Sequence, residues 1–323
     1  MIFGTLGLGL NILTIGVLGF CIAVILMSWL MILWRKPLLN YEVNSRLRVL
    51  WCAVTIPWLA SILAVVLLIY PDLLLLQDSQ LATFVHWHHT HAFYAYSWHG
   101  ASLAAFSVFC VALFVSRILK ILKIHAQLNH LNYFVSSSSQ VDGCVLVVSD
   151  TPQAFTTGLF RSRSYITSGL EQQLTAQEID IVRQHELAHA LHRDPLRKYI
   201  YSLLTAFFPT SLSKTLNNSF ALSLEQHADQ VVSKNSTDKA LIASTILKVG
   251  RLQSQHRNAS APKLTECYFS SHPLTLRIQY LLSNDTGKYF PFFGLVAIAA
   301  IITVMSTLSV DFLHHTIEQL FAH

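Results

Sequence analysis

RQHELAHALHRD, residues 183–194, decides how the rest of this chain is read. His185 and His189 are four apart, so on a helix they leave the same face one turn apart. Two imidazoles in that relation reach one Zn²⁺ at about 2.0–2.1 Å, and Glu186 beside the first of them reaches a water at the metal. Such a set implies peptide hydrolysis without a covalent intermediate, with Glu186 as general base. The plain alternative is a polar helix face carrying two solvated histidines.

The surroundings favour a helix. Thr175 to Glu178 has the pattern of a capping box, Ile179, Val182, Ala188 and Leu191 mark a buried side, and Pro195 limits the extent. Upstream, VLVVSD (145–150), AFTTGLF (154–160) and SYITSGL (164–170) predict short strands of a small sheet, after a flexible joint at VSSSSQ (135–140). A catalytic zinc needs a third protein ligand and an open fourth position. In the run Ser223 to Asp229, Glu225 and Asp229 are again four apart, so Glu225 can ligate while Asp229 orients a ligand histidine. His227 is a rival ligand, although a regular helix turns it about 160° away from that face. YIYSLLTAFFP (199–209) is apolar but too short to span a bilayer, which makes it core or a segment resting on the membrane surface.

The chain of 323 residues is 53% hydrophobic and 12% charged, with mean hydropathy +0.46. An ordinary soluble domain carries about twice that charged fraction, so a membrane protein is expected. Four stretches are long enough to span: about 6–34, 49–70, 99–119 and 290–310. The first lacks a basic start and a small-residue cleavage site, and it reads as a permanent anchor. The five cysteines form no disulfide or metal pattern. Lys and Arg are confined to the stretches 35–48 and 117–288, which predicts both termini and the 71–98 loop outside and the intervening domain in the cytoplasm. The net charge of +5 follows from that topology and implies no nucleic-acid partner.

AFTTGLFRSRSYITSGL, HELAHALHRDPL, the FFP at 207–209 and E-x-x-A-D at 225–229 together resemble the cytoplasmic peptidase domain of the BlaR/MecR beta-lactam sensor-transducers. They are more distantly similar to HtpX and the CAAX prenyl proteases. The resemblance runs from about Gln153 to Asp229, and SHPLTLRI (271–278) is similar to the element that follows in those proteins. It implies zinc ligands His185, His189 and Glu225, the base Glu186, Asp229 behind a ligand, and His272 and Arg277 lining the cleft. It also implies an edge strand that holds substrate, for which SYITSGL is the candidate.

The expected architecture is an α-helical integral membrane protein of four transmembrane helices, with a cytoplasmic α+β zincin-like metallopeptidase domain between the third and fourth. Residues 1–122 form the three-span part, 123–288 the peptidase domain, and 289–323 the last span and an outer tail. The sensors carry a penicillin-binding domain after the fourth span, whereas this sequence stops at His323, so acylation by beta-lactams is not expected. His86, His88, His89, His91 and His99 in the outer loop, with His314, His315 and His323 in the tail, suggest sensing of external metal or acidity; the alternative is an interfacial belt with Trp87, Trp98 and Tyr94.

The function expected is that of a zinc metalloendopeptidase in a bacterial inner membrane, cleaving a cytoplasmic protein. By resemblance, the substrate is a BlaI/MecI-like transcriptional repressor and also the chain itself, with homo-oligomers conceivable. The alternatives are an HtpX-like quality-control protease and a non-catalytic receptor. An intramembrane protease is disfavoured by Arg183, Gln184, His192, Arg193 and Asp194 on the metal helix.

Overall fold

The computed structural model describes residues 1–35, 37–69, 92–135, 140–141, 143–235, 238–256, 271–283 and 287–321, with side chains except at 120–135, 140–141, 271–273, 318 and 321. Among the described residues four helices are long and apolar enough to cross a membrane. They are α1 (Thr5–Trp34), α2 (Val43–Ile69), the Trp98–Leu119 part of α3 (Trp98–Val135), and the Phe292–Ile317 part of α10 (Phe292–Phe321). A two-stranded pairing of β1 (Ile2–Phe3) with β2 (Ala92–Phe93) joins the start of α1 to the entry of α3.

Between α3 and α10 the described residues form a small sheet and six α-helices. The sheet contains β3 (Gln140–Val141), β4 (Cys144–Val147), β5 (Ala154–Thr157) and β6 (Arg163–Thr167), in the order β3-β4-β6-β5. Only β4 and β6 run parallel. The stretch expected as an edge, SYITSGL, is therefore a central strand, with Ser168–Glu171 coiled into the short helix α4. The edge on its far side is β5, which pairs antiparallel with β6 through a turn at Gly158, where φ is +106° and an added Cβ would lie 2.3 Å from the Arg161 carbonyl oxygen. VSSSSQ lies mostly outside the described residues.

The metal-motif helix is α5 (Ala176–Leu191), and its capping box is complete. The Thr175 hydroxyl accepts from the Glu178 amide at 3.3 Å, and the Glu178 carboxylate accepts from the Thr175 amide at 2.8 Å. Ile179 and Val182 pack with Cys144, Ile166 and Leu170 beneath the sheet. Leu191, expected on that side, is 80% exposed, because it is the last residue of α5 and no later element among the described residues covers it.

Beyond a left-handed residue at Arg193 (φ 52°) come α6 (Asp194–Leu204), α7 (Thr210–Asn235), α8 (Lys239–His256) and α9 (Ser271–Leu282). The sheet-bearing part does not hang from a tether. Its apolar segment 199–209 is built into the spanning helices: Phe207 packs against Phe20, Trp58, Phe106 and Phe109, and Tyr201 stacks on Phe220 with Trp51 across both rings. One continuous core runs from α1 and α2 into α7.

Arg46 adds a polar joint to this seam. It is fully buried near the start of α2 and donates to the Gln226 side-chain carbonyl, while Gln226 donates to the Leu276 carbonyl at 3.1 Å. The same guanidinium lies 6.0 Å from the Tyr280 ring centre. Arg117 at the end of the third span grips Ser202 through two hydrogen bonds of 2.8 and 3.0 Å. The helices after β6 are thus keyed to α2 and α3 by the buried Arg46 and the half-buried Arg117 as well as by aromatic packing.

Candidate metal centre and active site

His185 and His189 leave α5 towards α7, where Glu225 meets them. The two Nε2 atoms are 3.1 Å apart, and the Glu225 carboxylate oxygens lie 3.4 Å from His185 Nε2 and 3.6 Å from His189 Nε2. A tetrahedral ion with bonds of about 2.0–2.1 Å separates its ligand atoms by about 3.3 Å, so the triangle has the dimensions a zinc ion requires. Among the described residues this is the group of three whose donor atoms converge on one point.

The other ring nitrogens are also occupied. His185 Nδ1 pairs with Asp229 at 3.0 Å, and His189 Nδ1 pairs with Asp194 at 2.7 Å. Both rings donate to a carboxylate from Nδ1, which fixes the tautomer and turns the lone pair of Nε2 to the shared point. Asp194 is a site residue the sequence reading missed. The left-handed turn at Arg193 folds the chain back so that the first residue of α6 reaches under His189, and Arg197 holds its other oxygen at 2.9 Å.

Arg277 of α9 binds Asp229 through Nε and Nη2 at 2.9 and 2.8 Å, and its Nη1 lies 3.3 Å from Glu225. Lys198 of α6 is 3.3 Å from the other Glu225 oxygen. Burial opposes ionisation of Glu225 and Asp229, but these cations and the two histidines outweigh it, holding Glu225 well below the carboxylate range and Asp229 at about 2. The histidines respond in reverse. Burial lowers them, and the carboxylates raise both, His189 to about 9.

Glu186 points to the sheet side of the same cleft, 8% exposed. Thr156 on β5 donates to its Oε2 at 2.8 Å and to its backbone carbonyl at 2.9 Å, and Ser164 donates to that carbonyl at 2.8 Å. The register that pairs Thr156 with Ser164 brings both hydroxyls onto α5. Thr156 lies in the quoted AFTTGLF, but its link to Glu186 follows from strand pairing and no spacing in the sequence reveals it.

The remaining candidates lie elsewhere. The His227 ring faces His192 at 4.8 Å and away from the metal triangle. His272 opens α9, and its side chain is outside the description, as are His86, His88, His89 and His91. His99 lies at the start of α3 beside His314 of α10, with Nε2 and Nδ1 3.3 Å apart, and His314 is fully buried. This pair is at the far end of the spanning helices from the zinc-sized triangle.

Two results follow from this geometry. Asp194→Asn leaves His189 in place but weakens its basicity, and zinc affinity is expected to fall about 10–100-fold in a competitive chelator titration. In metal-free protein the raised His189 stabilises the fold fully below its ordinary value of about 6.5, and this is lost as pH rises through about 9. Thermal unfolding of chelated protein should therefore weaken between pH 6.5 and 9, with the decline reduced in His189→Gln.

Comparison with known proteins gives the family. Two curated relatives, the Protease HtpX of Legionella pneumophila strain Corby and that of strain Lens, are each 40% identical over 76 residues, 21% of this chain and 27% of theirs. The chain thus spans about a quarter of the length of the curated relatives it matches. A broader match covers residues 119–285, from the end of the third span past α9, and through it the chain belongs to Peptidase family M48, whose members are generally zinc-dependent.

Proposed function

We propose that this protein is an integral-membrane zinc endopeptidase that cuts polypeptides at the cytoplasmic face. The observation that carries the reading is the triangle of His185, His189 and Glu225 with Glu186 beside it, each ligand backed by a second polar group. Zinc held there supplies Lewis acidity towards a peptide carbonyl and towards water. Glu186, oriented by Thr156, takes a proton from the attacking water and returns it to the nitrogen of the breaking C–N bond. Asp194 and Asp229 keep both imidazoles in the ligating tautomer, and Arg277 holds Asp229 and Glu225 in place. The edge strand β5 lies along α5 and offers backbone groups to an extended substrate.

The orientation rests on the positive loops, which put α3's exit and the sheet-bearing part inside and the His99–His314 pair outside as the candidate input. The BlaR/MecR-like residues favour a transcriptional repressor, or the chain itself, as substrate. The 40% identity to HtpX over 76 residues supports a second reading, removal of damaged membrane proteins.

Detergent-purified protein mixed with a BlaI/MecI-type repressor, with an unfolded soluble polypeptide, or alone is expected to generate new amino termini. These should vanish with chelator and return with zinc. Cleavage restricted to the repressor supports signalling, cleavage of unfolded chains in general supports quality control, and no cleavage in any mixture overturns the peptidase reading.

A further inference from the structure

Arg46 lies in the first turn of the spanning helix α2, fully buried where that helix meets α7 and α9. Burying a guanidinium costs stability unless a counter-charge meets it. Among the described residues Arg46 is met by a neutral amide, that of Gln226, and by the Tyr280 ring, and its Nε has no hydrogen-bond partner. An apolar side chain of the same volume would hold the seam at lower cost. A cation in this place is better explained by what it orients.

Its bonds lead to the metal centre. Gln226 follows Glu225 in α7, and with its Oε1 taken by Arg46 its amide nitrogen is turned to the Leu276 carbonyl of α9, 3.1 Å away. A cation beside a carboxamide can be met only by the oxygen, so Arg46 permits the one orientation that presents Nε2 to α9. The next residue of α9 is Arg277, which binds Asp229 at 2.9 and 2.8 Å and lies 3.3 Å from Glu225. One turn along both helices Gln230 donates to the Tyr280 hydroxyl at 2.9 Å, and Tyr280 carries the ring that faces Arg46. Ile278 and Leu281 of α9 also pack with Ile181, Val232 and Ile242, but apolar contact is non-directional. Hydrogen bonds weaken steeply with misalignment, so the two glutamines set how α9 slides and turns on α7.

We propose that Arg46 is a positioning residue of the peptidase: from α2 it fixes the Gln226 amide, and through that amide the placement of Arg277 on Asp229 and Glu225. The inference rests on the peptidase reading and deepens it, because it makes the docking of a spanning helix a condition of the active geometry. Arg46 acts at a distance from the chemistry, so its removal changes the rate of the bound complex and leaves substrate binding largely as it was.

The test compares wild type with Arg46→Met, Arg46→Lys and the double variant Arg46→Met/Gln226→Met, as detergent-purified full chains loaded with zinc or with Co²⁺. Arg46→Met is expected to lower kcat about 10–100-fold with KM near its wild-type value, the loss typical when support behind a metal ligand is removed. The double variant leaves neither end of the bond unpaired, so its unfolding temperature should stay close to that of wild type while kcat falls no further than in Arg46→Met. Arg46→Lys keeps a donor for Gln226 and should recover most of the rate. The visible ligand-field bands of bound Co²⁺ should shift in Arg46→Met and in the double variant, a change that weaker packing alone does not produce. Wild-type kcat and an unchanged cobalt spectrum in both Met variants overturn the positioning role and leave the peptidase standing. So does a fall in rate that only matches the loss of folded protein. A zinc-loaded wild type that cuts no peptide overturns the peptidase reading and the positioning role with it.

Discussion

Glu225→Ala is expected to strip the protein of stoichiometric metal. The substitution reduces three converging donors to two imidazoles 3.1 Å apart, too few for a catalytic zinc site. It also strands the cations that Glu225 neutralises. Lys198 and Arg277 each lie 3.3 Å from its carboxylate, and without it they face two histidines in a buried cleft. Breaking such a buried set by removing one partner costs about 3–5 kcal/mol, so a lower unfolding temperature should accompany the loss of zinc. Glu225→Gln keeps the volume and separates the two effects: it should retain more of the stability than Ala while still losing most of the metal affinity. Metal analysis after desalting, with thermal unfolding of the same samples, reads both. Full zinc occupancy in Glu225→Ala would remove Glu225 from the ligand set and send the search back to other residues.

Glu186→Gln is expected to do the opposite, keeping the metal and losing the chemistry. A glutamine carbonyl still accepts the Thr156 hydroxyl that now reaches Glu186 Oε2 at 2.8 Å, and the backbone carbonyl keeps its bonds to Thr156 and Ser164. The amide cannot take up a proton at working pH. Loss of a positioned general base typically costs about 10²–10⁴ in rate, and kcat should fall by that factor with zinc content unchanged. A variant that cuts at the wild-type rate would exclude Glu186 as the base.

What the sequence made legible was mostly local. The capping box of Thr175 and Glu178 and the four-residue spacings of His185 with His189 and of Glu225 with Asp229 depend only on helix geometry. The four spans were readable because long apolar runs have few alternatives in water. Their ends were less so. Helix α2 starts at Val43, before the apolar run, because Arg46 finds Gln226 inside the fold, and α10 continues past residue 310 with Asp311 and His314 buried.

Features that depend on tertiary arrangement escaped. That β6 is central and β5 the edge is a property of strand order, and no period in either segment encodes it. Asp194 meets His189 through one left-handed residue, and Lys198 reaches Glu225 across 27 positions. The apolar stretch 199–209 was too short to be a span and too apolar to be a loop. Its role is set by tertiary packing, with Phe207 held among α1, α2 and α3.

The most direct test of the central claim is zinc-edge X-ray absorption on the purified wild-type protein, together with its metal content. The account predicts one zinc per chain in a shell of nitrogen and oxygen donors showing the outer-shell scattering of two imidazole rings. A protein that holds no stoichiometric zinc when supplied with it, or one whose zinc is bound by sulfur, would contradict the site built from His185, His189 and Glu225.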